Sequence, residues 1–207
     1  IQTVVSWVKE MPELKVIAMV RPRGAGFCYS PEDFKVMEAE CRMLVENGAD
    51  GIAFGCLKED ASLDAYKIQR MLETIKSRGK EAVFHRAFDC CADPFQTAER
   101  LAELGIDRIL TSGLKPKAEE GIELLRKLHS RYSGTIEFLA GSGVNSSNAK
   151  WILEQTGLNQ IHSSCKDWIE DVTTIQNGVS YSMVSGEHSR SYDAVSAELV
   201  RKLVESV

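Results

Sequence analysis

The chain has 207 residues, of which 43% are hydrophobic and 27% charged, a composition typical of a globular domain and not of a disordered chain. Its 25 Lys and Arg against 30 Asp and Glu give a net charge of −5 without any basic block, so we expect no nucleic-acid partner. No apolar run approaches the roughly 20 residues that cross a bilayer, which argues against a membrane partner. Six cysteines are too sparse in a chain of this length for a small disulfide-stapled scaffold and favour a reducing compartment, so we predict a cytoplasmic protein.

Six short runs rich in Ile, Val and Phe predict β-strands, and amphipathic stretches lie between them. In chain order, the predicted strands are 15–21, 51–55, 81–86, 108–112, 135–140 and 160–164. Helices are predicted at 1–10, 31–47, 63–78, 95–104, 117–132 and 146–156. Strands that alternate with helices in this way indicate βα units and a parallel sheet covered by helices.

Polar side chains on one face of several strands distinguish between two parallel-sheet folds. Arg108 shares a face with Ser112, and Gln160 shares one with His162 and Ser164. An open doubly wound sheet buries both faces under helices, whereas a closed barrel directs one face to an interior whose end binds ligands. We therefore predict a single α/β domain over the whole chain, a (β/α)8 TIM-type barrel. Because such a barrel has eight strands and only about six βα units are found, we expect about two strands to precede the first residue.

Polar groups gather where the predicted strands end, which in a barrel is the mouth where ligands bind. Arginine side chains there can make bidentate contacts with phosphate or carboxylate. The glycines of the segment 141–143 precede a helix and can direct backbone N–H groups to a phosphate, although a tight turn explains them equally well. The candidate anion-binding residues are Arg21, Arg23, Arg86, Ser112, Gly141, Gly143, His162 and Ser164.

His85 and Asp89 are the candidate catalytic residues. An imidazole titrates near neutral pH, and a carboxylate four residues further on could orient it as an acid–base pair. A structural hydrogen-bonding role for His85 is an equally good interpretation.

Most of the cysteines follow predicted strands and so lie on the side of the mouth. Thiolates close together could hold Cu(I) or Zn(II), but no Cys-x-x-Cys pair is present to anchor a structural zinc site. The alternative interpretation is that these cysteines are small hydrophobic loop residues. The candidate metal ligands are Cys28, Cys56, Cys90 and Cys165.

Four mouth segments, taken together and in order, resemble the CutC copper homeostasis family. They are Arg21-Pro22-Arg23-Gly24 with Phe27 and Tyr29-Ser30, then Phe84-His85-Arg86-Ala87-Phe88-Asp89, Leu110-Thr111-Ser112-Gly113 and His162-Ser163-Ser164. The resemblance implies a cytosolic (β/α)8 barrel associated with copper handling and a homo-oligomer, a dimer or larger. It implies no established reaction.

The resemblance has two departures that affect the site. The family commonly has Gly-Gly-Asp-Phe where this chain has Gly24-Ala25-Gly26-Phe27, so the acidic residue is absent at Gly26. The cysteines proposed for copper in the family belong largely to a segment before the first residue of this chain. The family's copper site is therefore not transferred onto these residues.

Three hypotheses follow from the sequence. The first is a cytoplasmic CutC-like protein of copper homeostasis that binds Cu(I). The second is a barrel enzyme acting on a small phosphorylated or carboxylated metabolite, in which Arg21, Arg23 and Arg86 bind the anion and His85 or Asp89 moves a proton. The third is a scaffold whose outer helices act through assembly.

Overall fold

The structure, a computed structural model, describes residues 1–207 and is built around a curled six-stranded parallel sheet. The strands pair in sequence order from β1 to β6, and β1 and β6 do not pair with each other. This arrangement is an open part of a (β/α) barrel, so the predicted fold class is confirmed, and each strand overlaps its predicted run. The strands are β1 Ile17–Met19, β2 Gly51–Phe54, β3 Glu81–Phe84, β4 Arg108–Thr111, β5 Glu137–Gly141 and β6 Ile161–His162.

Six of the seven helices coincide with predicted ones, and local capping residues explain their bounds. The second helix begins after Ser30, whose hydroxyl accepts from the backbone N–H of Asp33 while the Asp33 carboxylate accepts from the N–H of Ser30. The fourth and sixth helices end at Gly105 and Gly157, which have positive φ angles of 95° and 76°. The helices are α1 Gln2–Val8, α2 Pro31–Glu46, α3 Ala65–Lys76, α4 Pro94–Leu104, α5 Ile122–Tyr132, α6 Ala149–Thr156 and α7 Ala197–Glu205.

The hydrophobic core lies between the sheet and the helices that cover its outer face. Alternate strand residues such as Ile52, Ile109 and Phe138 are buried there, packed against helix residues such as Met37 and Ile68. Burial of these side chains is the main force that holds the helices on the sheet. None of the helices is both long and apolar enough to cross a membrane.

The opposite face of the sheet carries a polar ladder at the beginnings of the strands. Glu81 on β3 pairs with Lys15 before β1 and with Arg108 on β4, and the second of these pairs is 3.5 Å long. Arg108 also donates to Glu137 on β5 at 3.0 Å, and Gln160 before β6 donates to the same carboxylate at 2.7 Å. The ladder explains the polar face predicted from the sequence and links the strands at the end remote from the mouth.

The C-terminal region adds elements that the sequence analysis does not predict. Strand β7, Lys166–Glu170, pairs antiparallel with β10, Ser191–Val195, and the short strands β8, Ile175–Gln176, and β9, Val179–Ser180, form a hairpin. The hairpin turns at Asn177-Gly178, where both residues have positive φ, as a two-residue turn of this kind requires. Helix α7 then returns to the barrel mouth, where Leu199 and Leu203 line a cavity.

Candidate functional site

The carboxyl ends of the strands bring several predicted site residues together. Thr111 and Ala140 are register partners on β4 and β5, so the next residues along, Ser112 and Gly141, are neighbours. Gly141 in turn pairs with His162 on β6. A Cβ at Gly141 would lie 2.6 Å from Cδ1 of Leu110, so a larger residue here would require the Leu110 side chain to shift.

Arg86 is held by a group of residues that we call the arginine cluster, formed by Arg86, Asp89, Thr111 and Ser112. Nε of Arg86 donates to the Asp89 carboxylate at 2.7 Å, and Nη2 donates to the Ser112 hydroxyl at 3.0 Å. Asp89 is almost buried, with 8% of its side chain exposed, and also accepts from the Thr111 hydroxyl at 2.5 Å and the backbone N–H groups of Ser112 and Leu114. The Arg86 side chain is 41% exposed, and its Nη1 has no hydrogen-bond partner in the chain. A fixed guanidinium with a free donor at the mouth is suited to an anion.

His85 does not form the pair with Asp89 that the sequence predicts. Nδ1 of His85 instead accepts from the backbone N–H of Ala87 at 3.2 Å, because His85 starts the short turn that follows β3. Burial lowers the pKa of His85 to about 4, so the ring is neutral near pH 7. The proposed acid–base pair is therefore corrected: Asp89 orients Arg86, and a proton-moving role for His85 or Asp89 stays a prediction.

The two arginines of the β1–α2 loop differ in the number of hydrogen bonds that they make within the chain. Arg23 donates to the Asp33 carboxylate at 2.9 Å and to the carbonyls of Gly24, Gly26 and Cys28, so it holds its own loop together. Arg21 makes one hydrogen bond, from Nη2 to the carbonyl of Ala25 at 2.8 Å. Of this pair, Arg21 has more donors free for a ligand, and the predicted anion-binding role of Arg23 gains no support from its geometry.

Backbone N–H groups at the ends of β5 and β6 form a second potential anion site, which we call the amide cluster. The N–H groups of Ser142, Gly143, Val144, Ser163 and Ser164 make no hydrogen bond within the chain. Ser142 and Gly143 have positive φ angles of 86° and 72°, which turn the chain away from the strand direction.

The loop after β5 is fixed by hydrogen bonds of its other groups. The Ser142 carbonyl accepts from the N–H of Ala118, and the Ser142 hydroxyl donates to the carbonyl of Pro116. Both Asn145 and Asn148 donate to the carbonyl of Gly143. These bonds fix a loop whose N–H groups are left unpaired.

A cavity of about 130 Å³ adjoins the amide cluster. Val144 and Ser163 line one side, Lys166 adds a positive charge, and Leu199 and Leu203 of α7 close another side. Lys166 and α7 were not predicted from the sequence, since they lie beyond the last predicted strand. Thr111 was predicted to lie at the mouth without a role of its own, and Gly55 was predicted only as the end of a strand.

The cysteines do not form the thiolate metal site that the sequence suggests. Cys28 and Cys90 are exposed, Cys165 is half-buried and Cys56 is fully buried. Burial also raises the pKa of Cys56 to about 12, which disfavours the thiolate that binds a soft metal ion. The chain contains no group of three or more His, Cys, Asp or Glu residues placed to hold a metal ion. The prediction that Cys28, Cys56, Cys90 and Cys165 act together is therefore corrected.

Solved structures with a similar fold were found by comparison. CutC from Streptococcus agalactiae, a protein named for copper homeostasis, is 29% identical with a TM-score of 0.73, covering 78% of this chain and 77% of that one. 3-Hexulose-6-phosphate synthase from Salmonella typhimurium is 16% identical with a TM-score of 0.57, covering 98% of this chain and 77% of that one. The second likeness shows the fold alone.

The sequence relatives and a family model agree with the first of these structures. A CutC family protein from Treponema denticola is 42% identical over 170 residues, which is 82% of this chain and 68% of the relative. A second, from Bacteroides fragilis, is 38% identical over 191 residues, which is 91% of this chain and 75% of the relative. The model of the CutC family matches residues 2–167, from α1 into β7. The fold, these identities and the match together show that the chain belongs to the CutC family.

Proposed function

We propose that the barrel mouth of this CutC family chain binds a small phosphorylated or carboxylated metabolite, and that this binding is its contribution to copper homeostasis. The copper context comes from the name of the Streptococcus agalactiae relative. The anionic ligand is supported by the unpaired backbone N–H groups of the amide cluster and by the partly free guanidinium groups of Arg86 and Arg21. We further infer that the protein works in the cytoplasm and that it is a homo-oligomer. Light scattering of the purified protein tests the oligomeric state, because it measures the mass of the assembly.

The observation that carries the proposal is the amide cluster. Five backbone N–H groups at the ends of two adjacent strands have no partner within the chain. Backbone N–H groups without protein partners are paired by water or by a ligand, and several that converge favour an anion. The loops after the last two strands of a barrel commonly hold phosphate for this reason.

The arginine cluster supplies the second set of donors. Arg86 hydrogen-bonds to Ser112, and Ser112 adjoins Gly141 directly before the amide cluster. The Arg86 side chain therefore reaches the end of β4, and the amide cluster begins one strand further along, at a strand spacing of about 5 Å. Because Asp89 already fixes the guanidinium, binding loses little side-chain entropy.

A phosphate titration followed by amide NMR tests this function. We expect the amide resonances of the cluster to shift saturably as inorganic phosphate is added to the uniformly ¹⁵N-labelled chain. Arg86→Ala should weaken the affinity about tenfold or more, whereas Arg108→Ala, at the remote end of the strands, should leave it unchanged. Saturable shifts confined to the outer helices, or no saturable shift, would refute the proposed site.

Cu(I) binding is the second candidate, favoured by the two exposed thiols of Cys28 and Cys90. Because no cluster of three potential ligands exists, copper would need thiols brought together by assembly or by movement of the loops. A competitive Cu(I) titration of the assembled protein should then give about one tight site per chain, lost after thiol alkylation. In this titration the protein competes with a Cu(I) chelator of known affinity. If the protein removes no Cu(I) from the chelator, it has no direct metal role.

A further inference from the structure

Two buried polar atoms near the mouth lack any hydrogen-bond partner. They are Nε2 of His85 and the hydroxyl oxygen of Tyr29, and the two residues are only 4% and 3% exposed. A buried polar group without a partner costs on the order of a hydrogen bond in stability, so native proteins rarely keep one without a use. The arginine and amide clusters do not include either atom.

The hydrogen bond at the other nitrogen fixes what His85 can offer. Nδ1 accepts from the backbone N–H of Ala87, and a backbone N–H can only donate. Nδ1 therefore carries no proton, and in the neutral ring the proton lies on Nε2. His85 thus presents a buried N–H donor, and it is not a base at that atom.

The surroundings of His85 are shaped around its ring. A Cβ at Gly55 would lie 2.7 Å from Nδ1 of His85, so the imidazole occupies the space that any other side chain would take. The Phe27 ring lies 5.1 Å from the imidazole, centre to centre, and the Arg21 guanidinium lies 5.0 Å from the centre of the Phe27 ring. The backbone of Phe27 is held, because its carbonyl accepts from the N–H of Leu57 at 2.9 Å, so only the Phe27 side chain is free to turn.

We propose that the Nε2–H of His85 binds the carbonyl oxygen of the metabolite when the Phe27 side chain turns away from the imidazole, and that the substrate class is a phosphorylated carbonyl compound. This inference rests on the proposed function, since the amide cluster and Arg86 hold the anionic end. A carbonyl oxygen accepts a hydrogen bond from the unpartnered Nε2–H of His85. A neutral donor polarises a carbonyl without giving up its proton, as neutral histidines at barrel mouths do in other enzymes.

The tautomer is tested first, without any ligand. We expect long-range ¹H–¹⁵N correlation spectra of the ¹⁵N-histidine-labelled chain at pH 7 to show the proton of His85 on Nε2. A proton on Nδ1, or a charged ring at this pH, would overturn the proposal. His129→Leu provides a control because it removes one of the four histidine signals without touching the mouth.

The ligand class is tested with two probes that differ at one group. Dihydroxyacetone phosphate carries a carbonyl where glycerol 3-phosphate carries a hydroxyl, and we expect the wild-type chain to bind the former about tenfold more tightly. His85→Leu should abolish this ratio, and His85→Gln, which keeps a donor near the same place, should restore part of it. His129→Leu should leave the ratio unchanged.

The outcomes separate the two proposals. Binding of inorganic phosphate without any preference for the ketone refutes the role of His85 and leaves the proposed function standing. A preference that survives in His85→Leu refutes that role as well, because the carbonyl is then recognised elsewhere. Absence of phosphate binding at the amide cluster refutes the proposed function, and the His85 proposal falls with it.

Discussion

Nε of Arg86 donates to Oδ2 of Asp89 at 2.7 Å, and the carboxylate that holds this arginine is itself held by donors of Thr111, Ser112 and Leu114 on and after the next strand. The arginine therefore depends on the aspartate for its position, whereas the aspartate keeps other donors if the arginine is removed. This asymmetry separates stability from binding at the two positions.

Asp89→Ala and Arg86→Ala should consequently behave differently. Loss of Asp89 leaves the Thr111 hydroxyl and two N–H groups unpaired and should reduce the free energy of unfolding by about 3 kcal/mol. Loss of Arg86 should reduce it by about 1 kcal/mol or less, because its side chain is partly exposed. Urea denaturation measures both values, and equal losses in the two variants would contradict this division of roles.

Gly55→Ala tests the fit around His85. The new Cβ would lie 2.7 Å from both the Nδ1 of His85 and the Cβ of Ala87, so we expect a loss of about 1–3 kcal/mol in the free energy of unfolding. Gly24→Ala is the matched control, since an added Cβ meets nothing within 4 Å there. If thermal or urea unfolding shows both variants to be as stable as the wild type, the close packing of His85 is wrong.

The buried His85 should make stability depend on pH. Burial lowers its pKa from an ordinary value of 6.5 to about 4 in the folded chain, with a smaller contribution from the charge of Arg21. Between these pH values the unfolded chain binds more protons than the folded one, so stability falls as the pH drops from 6.5 towards 4. The free energy of unfolding is therefore highest above pH 6.5, and His85 lowers it by roughly 3 kcal/mol when the pH falls below 4.

Urea denaturation of the wild type and His85→Leu at pH 4.5 and pH 7 isolates this contribution. Carboxylates titrate in both proteins, so the difference between the two pH dependences reports on His85. The wild type should lose more stability than the variant on acidification. Identical pH dependences would show that His85 titrates normally and is not buried as described.

The thiols should divide into two reactivity classes. Cys28 and Cys90 are exposed and should react with a disulfide reagent within seconds at pH 8. Cys41 and Cys56 should react only on unfolding, because burial raises their pKa to about 11 and about 12. Mass spectrometry of the partially labelled chain identifies the fast sites, and rapid modification of Cys56 would contradict its burial.

The sheet and its helices could be predicted from the sequence because each carries a local signal. The alternation in Arg108–Ser112 and the capping Ser30 before Pro31 each involve only a few neighbouring residues. The structure that such local patterns favour does not depend on distant parts of the chain. The C-terminal hairpin had its own local signal in Asn177-Gly178. Its strands are short and polar, so they do not show the apolar periodicity used to find the others.

The proximity of the candidate residues was predictable from the sequence, but their hydrogen-bond partners were not. Strand ends in a parallel sheet meet at one edge, so Arg86, Ser112 and Gly141 could be brought together from the sequence. Which group Asp89 contacts depends on the turn after β3, where the backbone N–H of Ala87 donates to Nδ1 of His85. A turn of this kind is set by tertiary packing around Gly55 and not by the spacing of residues.

Binding of an anion at the ends of β5 and β6 is tested most directly by a crystal structure of the chain grown in inorganic phosphate. Tetrahedral density within hydrogen-bonding distance of the N–H groups of Gly143 and Ser164 is the predicted result. A mouth without such density in crystals whose solvent channels reach it would contradict the proposed site.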